Sequence, residues 1–195
     1  MNYQGLPEGY ELLHVIELTA EPRLARRINL TSLLIALVMT LAALPFVPLS
    51  AFVPMHMPTI KSALRLLLLF PALFAQAFLL EWIRGAGMRY FGKVKPKYGF
   101  SGIYLYVGSS ACFDRRSYLS IIAFPIVLWG IVLMAFDLTL PISWFWFFYI
   151  LQIVNISGAA GSFYLMSWLS RLPHGILIRD SGERVEIYAP AEKAK

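Results

Sequence analysis

Four apolar stretches, at 28–53, 63–83, 118–140 and 143–169, decide most of what this 195-residue chain can become. Each has about 20 residues or more, the length an α-helix needs to cross roughly 30 Å of hydrocarbon. A segment inside a bilayer must satisfy its backbone hydrogen bonds internally, so the expected form is helical. Composition agrees, because 14% of residues are charged against about 25% in soluble domains. A soluble globular domain is thereby excluded. The expected fold is mainly α, a polytopic membrane protein of about four transmembrane helices with small cytoplasmic β-hairpin elements. The first stretch is too long for the apolar core of a signal peptide and reads as a retained helix. Pro45, Pro48 and Pro54 mark its far end, and Pro125 lies inside the third. Trp144, Phe145, Trp146, Phe147, Phe148 and Tyr149 form an aromatic belt at the start of the fourth.

The basic residues set the expected orientation. Of 17 lysines and arginines, three precede the first stretch, seven fall within 84–116 and five follow from Arg171 onward. Only Lys61 and Arg65 lie on the opposite side. The positive-inside rule then places both termini and the 84–117 connection in the cytoplasm. Three segments are expected: a cytoplasmic N-terminal segment at 1–27, a four-helix membrane domain at 28–170, and a cytoplasmic hairpin and tail at 171–195. The net charge of +6 sits beside apolar spans, where it meets anionic lipid; nucleic acid is not an expected partner.

Outside the spans, 10–18 reads as a strand or a short surface helix. Residues 98–107 look β-like, broken by Gly99 and Gly102. Residues 175–188 read as a hairpin around an Asp180-Ser181-Gly182 turn.

Ionisable residues near a span are the first candidates for function. Glu81 lies near the cytoplasmic end of the second stretch, three residues before Arg84. The two can form an i,i+3 pair on a helix. The fourth stretch holds Asn155, Ser157, Gly158, Gly161 and Ser162, with small residues spaced four apart. Such a pattern suits close helix packing, and equally a pocket facing Glu81. Asp137 reads as an interfacial residue at the outer end of the third stretch. His14, His56 and His174 with the single Cys112 carry no metal-ligand spacing. Nucleophilic triads, phosphate-cradling loops and dinucleotide signatures are also missing.

Several motifs in order carry a family resemblance: Leu80-Glu81-Trp82-Ile83-Arg84-Gly85, then Phe91-Gly92-Lys93-Val94-Lys95-Pro96-Lys97-Tyr98-Gly99-Phe100, then Arg115-Arg116-Ser117-Tyr118, and last Asn155 to Ser162 followed by Leu172-Pro173. Together they resemble the zincin-type peptidases found among small bacterial multi-spanning membrane proteins, which are similar to site-two proteases. The resemblance covers about 60–190. It implies a zinc ion held by two histidines one helical turn apart on the second span and by a carboxylate from the last, with a glutamate that activates zinc-bound water. Here the histidine positions are Leu80 and Arg84, and the third-ligand position is Ser162. Glu81 alone keeps the family residue.

The resemblance therefore implies a non-catalytic, zincin-like membrane protein in the bacterial cytoplasmic membrane, a pseudopeptidase that acts by binding, with a small subunit of a membrane complex as one such role. No cofactor is expected. An active zinc metallopeptidase, which would need zinc, and a proton- or cation-pathway protein using Glu81 are the alternatives. Glu81, Arg84, Asn155, Ser157, Gly158 and Gly161 are the candidate pocket or packing residues. Arg89, Lys93, Lys95, Lys97, Tyr98, Phe100, Arg115 and Arg116 form the candidate interaction surface. Expected partners are membrane lipids and other membrane-protein subunits.

Overall fold

A computed structural model describes residues 3–17, 21–52, 59–100, 105–173 and 175–191. In chain order the elements are β1 (Tyr10–Ile16), α1 (Pro22–Ala43), α2 (Ile60–Gly92), β2 (Lys97–Phe100), β3 (Leu105–Gly108), β4 (Cys112–Asp114), α3 (Arg115–Thr139), α4 (Phe145–Gly158), α5 (Ala160–Ser170), β5 (Leu177–Asp180) and β6 (Val185–Pro190). Four segments are long and apolar enough to cross a membrane: α1, α2, α3 and the stretch Ile142–Ser170. The fold is mainly helical with small antiparallel sheets.

The helix ends have local causes. Pro22 opens α1, at the first-turn position where a missing N–H costs nothing. Pro45 follows two residues after its end and bars continuation. Thr59 and Ser62 cap α2 reciprocally: the Ser62 N–H donates to Thr59 Oγ1 at 3.2 Å, and the Thr59 N–H donates to Ser62 Oγ at 3.0 Å. Asp114 caps α3 by accepting from the Ser117 N–H at 2.8 Å. The fourth apolar stretch is not one uninterrupted helix; it divides at Ala159 into α4 and α5. Conversely, α2 extends beyond the expected 63–83 to Gly92 and carries Glu81 and Arg84 inside a continuous helix.

The chain forms two compact units. One comprises 28–78 and 126–160. Its core gathers Ala43, Val47, Phe52, Leu133, Trp146, Phe147 and Leu151. Arg65 is buried there and donates to the carbonyls of Ser143, Ala51 and Lys61. Its guanidinium also lies 5.9 Å from the Phe52 and Trp144 rings. Gln76, buried, donates to the Leu151 carbonyl at 3.1 Å and accepts from the Trp129 indole at 2.8 Å. Outward, Leu33, Leu67, Phe70, Phe74 and Ile131 are exposed. Leaving each of these in water would forgo about 1.5–3 kcal/mol, so the surface suits an apolar solvent.

The other unit comprises 1–27, 79–125 and 161–195. Its four-stranded antiparallel sheet has the order β1-β6-β5-β4. Within it the described part of the 10–18 segment carries the strand β1, Tyr10–Ile16, and 175–188 contains the hairpin β5–β6 with Asp180 opposite Val185. A separate ribbon pairs β2 with β3, Lys97 opposite Gly108. The short strand β4, which no periodicity announces, pairs with β5.

The C-terminus of α2 departs from the usual glycine stop. Lys93, not Gly92, takes the left-handed conformation, with φ 54°. Its N–H donates to the Arg89 carbonyl at 2.9 Å. Gly92 is needed elsewhere: a Cβ there would lie 2.7 Å from the Ala111 Cβ and 3.0 Å from the Phe113 ring. The left-handed state costs a non-glycine residue about 1–2 kcal/mol, partly offset by the entropy glycine loses on folding. Lys93→Gly should therefore raise stability by up to about 1 kcal/mol, read as a higher thermal midpoint in detergent. An unchanged or lower midpoint would show that the lysine side chain contributes compensating contacts.

Candidate functional site: an arginine between two carboxylates

The site lies in the unit that carries the sheets, on the last three turns of α2. Glu81 and Arg84 are three residues apart and so share a helix face. The Arg84 Nη1 is 3.7 Å from Glu81 Oε1. Its stronger partner comes from far along the chain. Arg84 Nη2 donates to Asp180 Oδ2 at 2.6 Å, and the Asp180 side chain is only 2% exposed.

Asp180 is fully organised. The Tyr118 hydroxyl donates to its Oδ2 at 2.8 Å, and the Gly182 N–H donates to its Oδ1 at 2.8 Å. Its own carbonyl accepts from the Ser109 N–H at 2.7 Å. Tyr118 is buried at the first turn of α3. Two glycines let the turn close in this way. Gly182 has φ +91°, and a Cβ on Gly108 would collide with the Ser181 carbonyl. A third, Gly85, leaves space for the Tyr98 phenol, which a Cβ would displace.

The result is one half-buried cation among a half-buried carboxylate, Glu81, and a fully buried carboxylate and phenol, Asp180 and Tyr118. Arginine keeps its proton under all ordinary conditions, so it cannot escape burial by neutralising. Two atoms in the cluster are buried without a hydrogen bond: Glu81 Oε2 and Arg84 Nε. Glu81 is thus the less tightly held carboxylate.

Leu80 is half-buried beside the pair, and Ser162 is half-buried in the first turn of α5. Asn155 is buried in the other unit, where its Nδ2 donates to the Ile126 carbonyl at 3.0 Å. Ser157 is buried, Gly161 half-buried and Gly158 exposed. A Cβ on Gly158 would meet nothing within 4 Å, so that glycine is no packing notch in the described chain. Among the expected surface residues, Arg89, Lys93, Lys95, Lys97, Tyr98, Phe100 and Arg116 are exposed, while Arg115 is half-buried. Arg115 donates to the Leu172 carbonyl at 2.7 Å. Asp180 and Tyr118 were not legible as site residues. In the sequence the first is a hairpin-turn residue and the second the start of a span.

Other metal donors are scattered. His14 is exposed and stacks on Trp168, ring centroids 5.3 Å apart. Cys112 is buried, and that burial pushes its thiol pKa up; Arg179 nearby only partly opposes the shift. His56 and His174 lie outside the described residues. Among the described residues no three His, Cys, Asp or Glu side chains are grouped to hold a metal ion.

A helical chain with four membrane-length segments and a carboxylate–arginine cluster at the end of the second defines the class. A family model described as "Putative zincin peptidase" matches residues 73–177, just over half of the chain, and the chain belongs to that family. No curated protein and no solved structure matches it. The family name implies zinc, and the residues present do not fit that ion. Leu80 has no donor atom, and the Arg84 cation already occupies the carboxylates that would attract one.

Removing one partner of a buried pair strands the other, at a cost of about 3–5 kcal/mol. Partial exposure of Arg84 places this pair at the low end. Arg84→Met and Asp180→Asn should each lower stability by about 3 kcal/mol. Their losses should not add: the double variant should be at least 1 kcal/mol better than the sum, roughly the coupling of contacting pairs. Strictly additive thermal shifts in detergent would show that the two side chains do not depend on one another.

Proposed function

We propose that this chain is a pseudopeptidase: a non-catalytic, zincin-like membrane protein that acts by binding. One observation carries the reading. At the position where the family resemblance calls for the second histidine, a guanidinium is held 2.6 Å from Asp180 and 3.7 Å from Glu81. A cation so placed repels a divalent metal and engages the glutamate that would otherwise activate water. The residual carboxylates thus serve the integrity of the fold.

The location we infer is the bacterial cytoplasmic membrane, crossed several times, with both termini in the cytoplasm. The support is the charge distribution, fifteen basic residues on one side against two on the other. Membrane lipids and other membrane-protein subunits are the proposed partners. The exposed basic and aromatic residues Arg89, Lys93, Lys95, Lys97, Tyr98 and Phe100 supply the candidate surface.

The test is zinc content by elemental mass spectrometry on gently purified protein, beside a Leu80→His, Arg84→His, Ser162→Asp variant. Wild type should carry no stoichiometric zinc, and the variant, freed of the guanidinium and given three donors, should gain it. One zinc per wild-type chain would overturn the reading and bring the metallopeptidase forward.

A further inference from the structure

A second polar feature lies in the same unit and has no part in the Arg84 cluster. A cavity of about 370 Å³ opens where β4 passes into α3. This is within the range of small-ligand clefts. Its walls come from four separate parts of the chain: Tyr3, Tyr10 on β1, the run Asp114 to Arg116, and Ile176 and Leu177 leading into β5. Ile176 and Leu177 are buried and give it an apolar floor, while Arg116 is exposed.

The lining combines features expected of a phosphate-bearing amphiphile. It carries two arginines against one carboxylate, and that carboxylate is turned to the Ser117 N–H at 2.8 Å as a helix cap. Arg115 is anchored on the Leu172 carbonyl at 2.7 Å, which fixes one wall. Arg116 is the exposed cation. Arginine presents a planar fork of N–H groups that matches phosphate oxygens, and the tyrosines add hydroxyl donors on aromatic rings suited to a membrane interface.

Position along the chain selects the ligand class. From Ser117 to Phe136, α3 contains no charged residue. Arg116 thus stands at the border between a polar end and an apolar, membrane-length helix, the level at which lipid phosphates lie. We propose that this cavity seats the phosphodiester headgroup of an anionic phospholipid, with Arg116 and Tyr10 as its polar contacts and Ile176 beneath the glycerol. This rests on the membrane reading of the chain and is independent of whether zinc is bound.

The test uses the full-length protein in detergent, with native mass spectrometry to count retained lipid. The probes are dioleoylphosphatidylglycerol, dioleoylphosphatidylcholine and inorganic phosphate. Phosphatidylglycerol should be retained in preference to phosphatidylcholine. Arg116→Gln should weaken its retention about tenfold, the equivalent of one charge-assisted hydrogen bond. Arg116→Lys, which keeps the charge and loses the fork, should recover part of the loss. Tyr10→Phe should give a smaller loss, and Arg184→Gln, an exposed charge removed outside both the cavity and the candidate surface, none. Three results would overturn the proposal. Equal retention of the two lipids would remove its headgroup selectivity. An equal loss in Arg184→Gln would reduce it to diffuse attraction. Binding of inorganic phosphate without phosphatidylglycerol would make the site one for a soluble anion. None of these depends on zinc content, so this proposal and the pseudopeptidase reading can fail separately.

Discussion

A guanidinium withdrawn from water has to be met by a carboxylate, because it does not give up its proton. In this chain that constraint falls on Arg84, and a large part of the sheet-bearing unit is arranged to satisfy it. The carboxylate comes from Asp180, ninety-six residues away in sequence. Bringing it there requires the β5–β6 hairpin to turn with Asp180 inward, and Tyr118, at the start of α3, donates to the same Oδ2 that Arg84 engages. Without Arg84, Asp180 would be an uncompensated buried charge. Without Asp180, Arg84 would retain only the looser contact with Glu81.

The geometry that makes this pairing feasible is backbone geometry. Gly182 adopts φ +91°, which lets the turn fold its N–H back onto the Asp180 carboxylate. Gly108 gives the Ser181 carbonyl room to approach β3, and the Ser109 N–H then fastens the Asp180 carbonyl. Side-chain charge and backbone shape thus reinforce each other. The same economy appears at the end of α2, where Gly92 is spent on close approach to Ala111 and Phe113, and the left-handed stop falls to Lys93.

How much of this is legible in the sequence depends on the range of the interaction. Apolar length is a local property, and it announced four membrane-length segments. The Asp180-Ser181-Gly182 turn is also local, and so is the i,i+3 relation of Glu81 and Arg84. Helix boundaries were less legible. The expected end of the second stretch at 83 followed the loss of apolar character, whereas α2 continues nine residues further because its polar final turns pack within the sheet-bearing unit. The least legible feature was Asp180. In sequence it is an ordinary turn residue before glycine, and its burial is created by contacts from α2 and α3. It also lies beyond residues 73–177, so the family match does not point to it.

An arginine at the position where the family resemblance calls for a second histidine differs from a metal site in physical character as well as in chemistry. A zinc ion gathers donors tetrahedrally at about 2 Å and requires them to be unprotonated or anionic. A guanidinium instead presents planar N–H groups outward and gathers acceptors at hydrogen-bond distance. Both are cations that draw carboxylates together, so Glu81 and Asp180 can stay near a positive centre without any metal ligand being preserved. The two cations differ in attachment. A metal can be removed and exchanged, whereas Arg84 is covalently part of α2. A site organised by its own helix cannot be emptied by a chelator, and its positive charge is present as soon as the chain is made. The Arg84–Asp180 pair therefore holds this end of α2 to the β5–β6 hairpin without an exchangeable ion.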